Sequence, residues 1–177
     1  MSGYQKSALA LPRLLASGLL AAVLVAAAHS VWAQDTKKQA EDLMRQGQQQ
    51  MTKGQPRDAI RTFGKAIELD PSRPELYMLR SRARDSSGSF DQALDDATKY
   101  IEMEPTDEYG YLNRARIYLS LEKPERALAD ANKAIEMKPE EPDGYYRRAD
   151  VYYALNKDAD AKADEAKAEA LDAKARR

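Results

Sequence analysis

Arginine stands at Arg80, Arg114 and Arg148, and aspartate at Asp96, Asp130 and Asp164, with 34 residues between successive members of each set. One step earlier, at Gln46 and Thr62, both partners are neutral, so the two columns change together. A guanidinium and a carboxylate that keep this register on the two arms of a hairpin can form a charge-assisted pair, stronger than a neutral hydrogen bond. Placed near a helix crossing, the pair is partly desolvated, and losing one partner is expected to hurt more than losing both.

Other residues that could do chemistry are few. The chain has no cysteine, and its one histidine, His29, lies in the first 33 residues. Without these, a nucleophile, general base or metal site would have to come from carboxylates, Ser, Thr, Tyr or Lys. Two acidic clusters exist, Asp91, Asp95 and Asp96, and Glu140, Glu141 and Asp143. Neither has the spaced oxygen ligands and glycine of a calcium loop, and both read as solvated helix faces or helix starts. There is no phosphate-binding glycine loop, nucleophile elbow or metal pair. No enzyme activity, cofactor or metal is expected. A formal charge of −1 gives no basic footprint for nucleic acid.

The elements that must hold the Arg and Asp columns show in the same spacing. The phrases "IELDP", "IEMEP" and "IEMKP" place Pro71, Pro105 and Pro139 at intervals of 34. With these prolines at position 32, the units run 40–73, 74–107, 108–141 and 142–177. Position 4 reads Leu43, Tyr77, Tyr111 and Tyr145, position 8 reads Gly47, Ser81, Ala115 and Ala149, and position 20 is Ala59, Ala93, Ala127 and Ala161. Within the third unit Tyr111, Ala115 and Tyr118 form one helical stripe, "EKP" breaks it, and Ala127, Leu128, Ala131, Ala134 and Ile135 form a second. The small columns let two helices approach closely. Tyr77, Tyr111, Tyr118, Tyr145 and Tyr152 are expected in the core.

This pattern of 34 residues, with an early aromatic, small residues at 8 and 20 and proline at 32, resembles the tetratricopeptide repeat. The resemblance implies an all-α fold, an α-solenoid of helix–turn–helix hairpins, with about three full repeats and a capping hairpin. The third and fourth units depart from it by placing Glu122 and Asn156 where an inter-helix glycine is usual. Where a fourth proline would fall stands Ala173, inside a last helix, from Lys157 onward, that is rich in Ala, Lys, Asp and Glu. A terminal repeat must keep its outer face wet, so the lost proline marks a boundary. Residues 34–39 are expected as a short flexible lead.

The resemblance also implies a concave groove lined from positions 2, 5, 9 and 12 of each unit. Carried over, these are Glu41, Met44, Gln48 and Met51, then Glu75, Met78, Arg82 and Asp85, then Tyr109, Leu112, Arg116 and Leu119, then Asp143, Tyr146, Asp150 and Tyr153. Methionine adapts to differing partners, and tyrosine and arginine dominate interface energies. A protein or peptide partner is therefore expected there. Some members hold a C-terminal carboxylate in a basic clamp. Of its five positions Asn113 and Arg147 match, Met78, Arg82 and Asp143 do not, and acidic Asp143 would repel a carboxylate.

The first 33 residues read as a secretory signal. Lys6 and Arg13 precede the apolar run from Leu14 to Ala28, and Val31 and Ala33 suit a signal-peptidase site. The run is short for a bilayer span of about 20 residues. Cleavage near Ala33 is expected, leaving a periplasmic or secreted scaffold of formal charge −3 that assembles envelope components. The alternatives are an inner-membrane-anchored form with an uncleaved signal, or a self-associating structural protein.

Overall fold

Proline marks at least one end of five of the helices between Pro56 and Ala175. In the computed structural model, residues 34–176 are described, and the signal and its cleavage site lie outside them. The chain divides into two compact units, Met1–Gln39 and Ala40–Arg177. In the first, residues 34–39 are helical, in place of the flexible lead expected there.

The second unit is all helix and turn. It opens with α1 at 40–52. There follow α2 (Pro56–Leu69), α3 (Pro74–Ser86), α4 (Phe90–Met103), α5 (Glu108–Ser120), α6 (Pro124–Met137), α7 (Pro142–Ala154) and α8 (Asp158–Ala175). Among the described residues there is no strand. Pro56, Pro74, Pro124 and Pro142 each occupy the first turn of a helix, where the missing N–H has no partner to lose. Pro71, Pro105 and Pro139 follow the ends of α2, α4 and α6, where an added turn would clash.

From α2 onward each helix packs on the next, and α3 also meets α5, and α5 meets α7. The hairpins are thus nested in order, with the first helices of the units side by side. The small columns lie where they meet. Ala59, Ala93, Ala127 and Ala161 are all fully buried, as are Ser81 and Ala115.

Each hairpin turns through one residue with positive φ: Gly54 at 70°, Gly88 at 80°, Glu122 at 54° and Asn156 at 56°. The next N–H reaches back to the helix: Gln55 to the Gln50 carbonyl (2.9 Å), Ser89 to Arg84 (2.8 Å), Lys123 to Tyr118 (2.9 Å) and Lys157 to Tyr152 (2.9 Å). This is the long bond of a Schellman turn. Glu122 and Asn156 therefore keep the glycine conformation although they are not glycine. Side chains with a Cβ are strained there. Glu122→Gly is expected to raise stability by about 0.5–1 kcal/mol, read as a higher urea midpoint at an unchanged slope. An unchanged or lower midpoint would show that Glu122 is not strained.

The Arg and Asp columns pair as expected. Arg80 bonds Asp96 through two nitrogens at 2.8 and 2.7 Å, Arg114 bonds Asp130 at 2.8 and 2.9 Å, and Arg148 bonds Asp164 at 2.6 and 2.8 Å. In the first unit Thr62 turns its hydroxyl to the Asp58 carbonyl instead, at 3.1 Å.

The tyrosine columns correct the sequence reading. Tyr77, Tyr111, Tyr118, Tyr145 and Tyr152 are half-buried, not core. A phenol has an apolar body and a polar tip, and the tip needs a partner. Tyr77, Tyr111 and Tyr145 donate to the carbonyls of Pro71, Pro105 and Pro139 at 3.2, 3.3 and 3.2 Å, tying each unit to the end of the one before. Their rings also flank the paired arginines, with Arg148 lying 5.7 Å from the Tyr145 centroid.

The last helix has the two faces of a cap. Ala161, Asp164, Ala168 and Leu171 are buried on α7, while the other side of α8 carries exposed Lys, Glu and Ala.

Candidate functional site

The first helices α3, α5 and α7 present one face to a shared cleft of about 780 Å³. Of the expected groove residues, Met51, Met78, Arg82, Tyr109, Leu112, Asn113, Arg116, Tyr146, Arg147 and Asp150 line it, together with Asp143. Glu41, Met44, Gln48, Glu75, Asp85, Leu119 and Tyr153 do not. Met44 packs against Ala59, Phe63 and Ala83, Gln48 is exposed, and Tyr153 points its hydroxyl to Glu165 of α8 at 2.8 Å.

The cleft floor is a chain of polar contacts that links the helices. Arg116 of α5 bonds Asp85 of α3 and the Asn113 side-chain oxygen, the latter at 3.1 Å. Asn113, buried, donates to the Ser81 hydroxyl at 2.9 Å, and Ser81 in turn donates to the Ala93 carbonyl at 2.8 Å. Asn113, one of the two positions that match the carboxylate clamp, is thereby engaged inside the fold. Arg147, the other, donates to Asp150 at 2.8 Å, while its Nε is buried with no hydrogen-bond partner.

Charge on the floor is crowded. Burial pushes Arg116 below the usual guanidinium range, Asp85 pulls it back up, and the neighbouring Arg147 and Arg82 push it down. Arg82, exposed on α3, forms no ion pair among the described residues.

The aromatic side of the cleft is unusually open. Tyr109 is 55% exposed and Tyr146 37%. Their phenols face carboxylates: Asp143, then burial, raises the pKa of Tyr109, and the bond to Asp172 raises that of Tyr146. The Tyr146 hydroxyl is held by Asp172 at 3.0 Å, and both tyrosines line the cleft.

Tyr100, Asp107 and Ser86 also line the cleft, and the sequence reading did not single them out. Tyr100 occupies position 27, where the other units have Ala66, Ala134 and Ala168. A large ring in a column of alanine was the available signal. Its hydroxyl donates to Asp107, which also accepts from the Tyr109 N–H at 3.0 Å.

Among the described residues no group of three or more acidic or histidine side chains is placed to hold a metal ion. No described helix is long and apolar enough to cross a membrane. What the cleft offers is a polar floor with an aromatic edge, which can hold an extended chain.

Two family models, each described as the tetratricopeptide repeat, match residues 39–108 and 109–141. No curated protein matches the chain. Several solved structures are similar in fold. A crystal structure of MamA superposes with a TM-score of 0.68 at 24% identity, over 76% of this chain and 79% of that one. TTC0263, a thermophilic repeat protein of this type from Thermus thermophilus, gives 0.69 at 23%, over 75% and 74%. The first such domain of Spaghetti (RPAP3), bound to the HSP90 peptide SRMEEVD, gives 0.63 at 22%, over 68% and 95%.

Proposed function

Because this chain belongs to the tetratricopeptide repeat family, we propose that it is a non-enzymatic scaffold that binds a peptide or protein segment in the cleft of α3, α5 and α7. The observation that carries this reading is the exposure of Tyr109 and Tyr146 beside Arg82 on one concave surface. Neither packing nor solubility calls for open aromatic rings there, and such residues dominate binding energy at interfaces. The peptide bound by the similar RPAP3 domain supports the same use of the fold.

The scaffold acts outside the cytoplasm, in the periplasm of a Gram-negative cell or secreted, and assembles envelope components. This part rests on the first 33 residues alone, with their basic start, apolar run and small-residue exit. Mass spectrometry of the protein from its host is expected to find Gln34 at the N-terminus. A retained Met1 would favour the membrane-anchored form.

Binding is tested by comparing proteins captured by wild type and by the triple variant Arg82→Ala, Tyr109→Ala, Tyr146→Ala. None of these three changes strands a buried charge, so the variant is expected to keep its helical circular dichroism. Loss of three contact side chains of these types is expected to weaken a groove partner about 100-fold. Identical captured sets from both proteins would remove the groove from the proposal.

A further inference from the structure

The tyrosines of this chain differ in what lies over their rings. Tyr77, Tyr111, Tyr118, Tyr145 and Tyr152, all half-buried, each carry a guanidinium of the Arg column between 5.7 and 6.0 Å from the centroid. The negative face of an aromatic ring attracts such a cation. Tyr109 is 55% exposed in the cleft, and among the described residues no cation lies over its ring. Its surroundings are those a cation would need. Asp143, Glu108 and Glu141 all act on the Tyr109 phenol and raise its pKa. None of the three forms an ion pair among the described residues. The cations of the cleft are placed elsewhere. Arg147, one turn beyond Asp143, bonds Asp150, and Arg116 bonds Asp85. Arg82 and Arg116 stand at position 9 of their units and Tyr109 at position 2. Along parallel helices the two levels are about 10 Å apart, roughly a Debye length in physiological salt.

The backbone that carries the ring is held. Among α2 to α8, α5 alone has a capping side chain that bonds its own helix. Asp107 accepts the Tyr109 N–H at 3.0 Å on one oxygen and the Tyr100 hydroxyl on the other. Gly110 makes room for this arrangement, since a Cβ there would overlap Tyr100 and Ile101. Tyr100 replaces the alanine of the other units, so the setting belongs to the junction of the second and third units alone. A side chain already held in this way loses less freedom on binding.

On this basis, and resting on the peptide-binding reading above, we infer that Tyr109 and Asp143 form a cation subsite, which takes a lysine or arginine side chain of the bound segment between the ring and the carboxylate. Asp143 also stands in the first turn of α7, where a carboxylate complements the helix dipole. A role confined to that helix end would leave binding unchanged when the charge is removed.

An array of acetylated, amidated dodecamers of varied composition tests this. It is probed with the full chain as wild type, Tyr109→Leu, Asp143→Asn and, outside the cleft, Tyr153→Leu. All three residues are exposed, so the helical circular dichroism is expected to be unchanged. The bound set is expected to be rich in Lys and Arg. Replacing the key lysine with norleucine keeps the hydrocarbon stem and drops the charge. That change, Tyr109→Leu and Asp143→Asn are each expected to weaken binding about tenfold, while Tyr153→Leu leaves it unchanged. Norleucine peptides bound at full strength would show that only the stem is held, and would overturn the cation subsite. So would Lys- or Arg-rich peptides whose binding survives either Tyr109→Leu or Asp143→Asn. Acidic or neutral peptides that bind wild type and are lost with Tyr109→Leu would overturn it too, and leave the groove reading standing. An array with no bound peptide would overturn the groove reading, and the inference with it.

Discussion

Arg114→Ala is expected to cost about 3 kcal/mol of stability, and removing Asp130 as well to recover part of that loss. The pair is well made, with nitrogen–oxygen distances of 2.8 and 2.9 Å and side chains only 19% and 9% exposed. The two halves are unequal. Without Arg114, the Asp130 carboxylate stays in a site that water scarcely reaches, and nothing neutralises it. Without Asp130, the guanidinium can swing outward on its aliphatic stem, past the rings of Tyr111 and Tyr118 whose centroids lie 5.9 and 6.0 Å away. Asp130→Ala is therefore expected to cost less, about 1–2 kcal/mol. The first unit supplies the natural control, since Gln46 and Thr62 hold the same positions without charge. Arg114→Gln with Asp130→Thr copies that solution, and about 1 kcal/mol of loss is expected for the pair of changes. Urea unfolding of the four proteins, followed by circular dichroism, measures the coupling. If the single losses simply add up to the double, the two side chains act alone and the pairing has no energetic meaning.

That this pair is legible in sequence has a physical cause. A solenoid repeats its neighbours, so one geometrical requirement is written into the chain several times, and a column that changes as a pair stands out. Proline positions and the columns of small residues at Ala59, Ala93 and Ala127 are legible for the same reason, since each answers a hard steric demand. The tyrosines are harder to read. A ring in a helical stripe looks apolar in sequence, and only the structure shows the Tyr77, Tyr111 and Tyr145 hydroxyls reaching proline carbonyls at the surface. The cleft is partly legible. Its aromatic edge follows from register, but its floor depends on contacts across units, such as Arg116 with Asp85 and Asn113 with Ser81. Those residues differ from one unit to the next, so no column announces them. Glu122 and Asn156 mislead in the opposite direction, since the positive φ survives the loss of glycine. There the Schellman hydrogen bond and the packing of the hairpin outweigh the strain of one side chain.

A second large effect is expected where two units meet, and it turns on volume. In the first interface the buried cluster is Ala59, Phe63 and Ala83, while in the second it is Ala93, Ala97 and Ile117. Phe63 and Ala97 share one repeat position, and Ala83 and Ile117 share another. A large residue on one unit thus faces a small one on the next, and the second interface reverses the order. Gly47 belongs to the same arrangement, because a Cβ there would overlap the Phe63 ring. The unit that carries phenylalanine at this repeat position is the one whose position 8 is glycine. Phe63, fully buried, is expected to cost about 3–5 kcal/mol when cut to alanine, from lost transfer energy and the cavity that remains. Ala83→Ile alone overfills the same space and is expected to cost about 1–3 kcal/mol. Together they transplant the Ala97–Ile117 solution, and the double variant is expected to be about 1–2 kcal/mol more stable than Phe63→Ala. Full recovery is not expected, because the space beside Gly47 stays empty, and a third change, Gly47→Ala, should recover more. Urea midpoints across the series decide the matter. A double variant no better than Phe63→Ala would mean that the backbone, and not complementary side-chain volume, sets how these units nest.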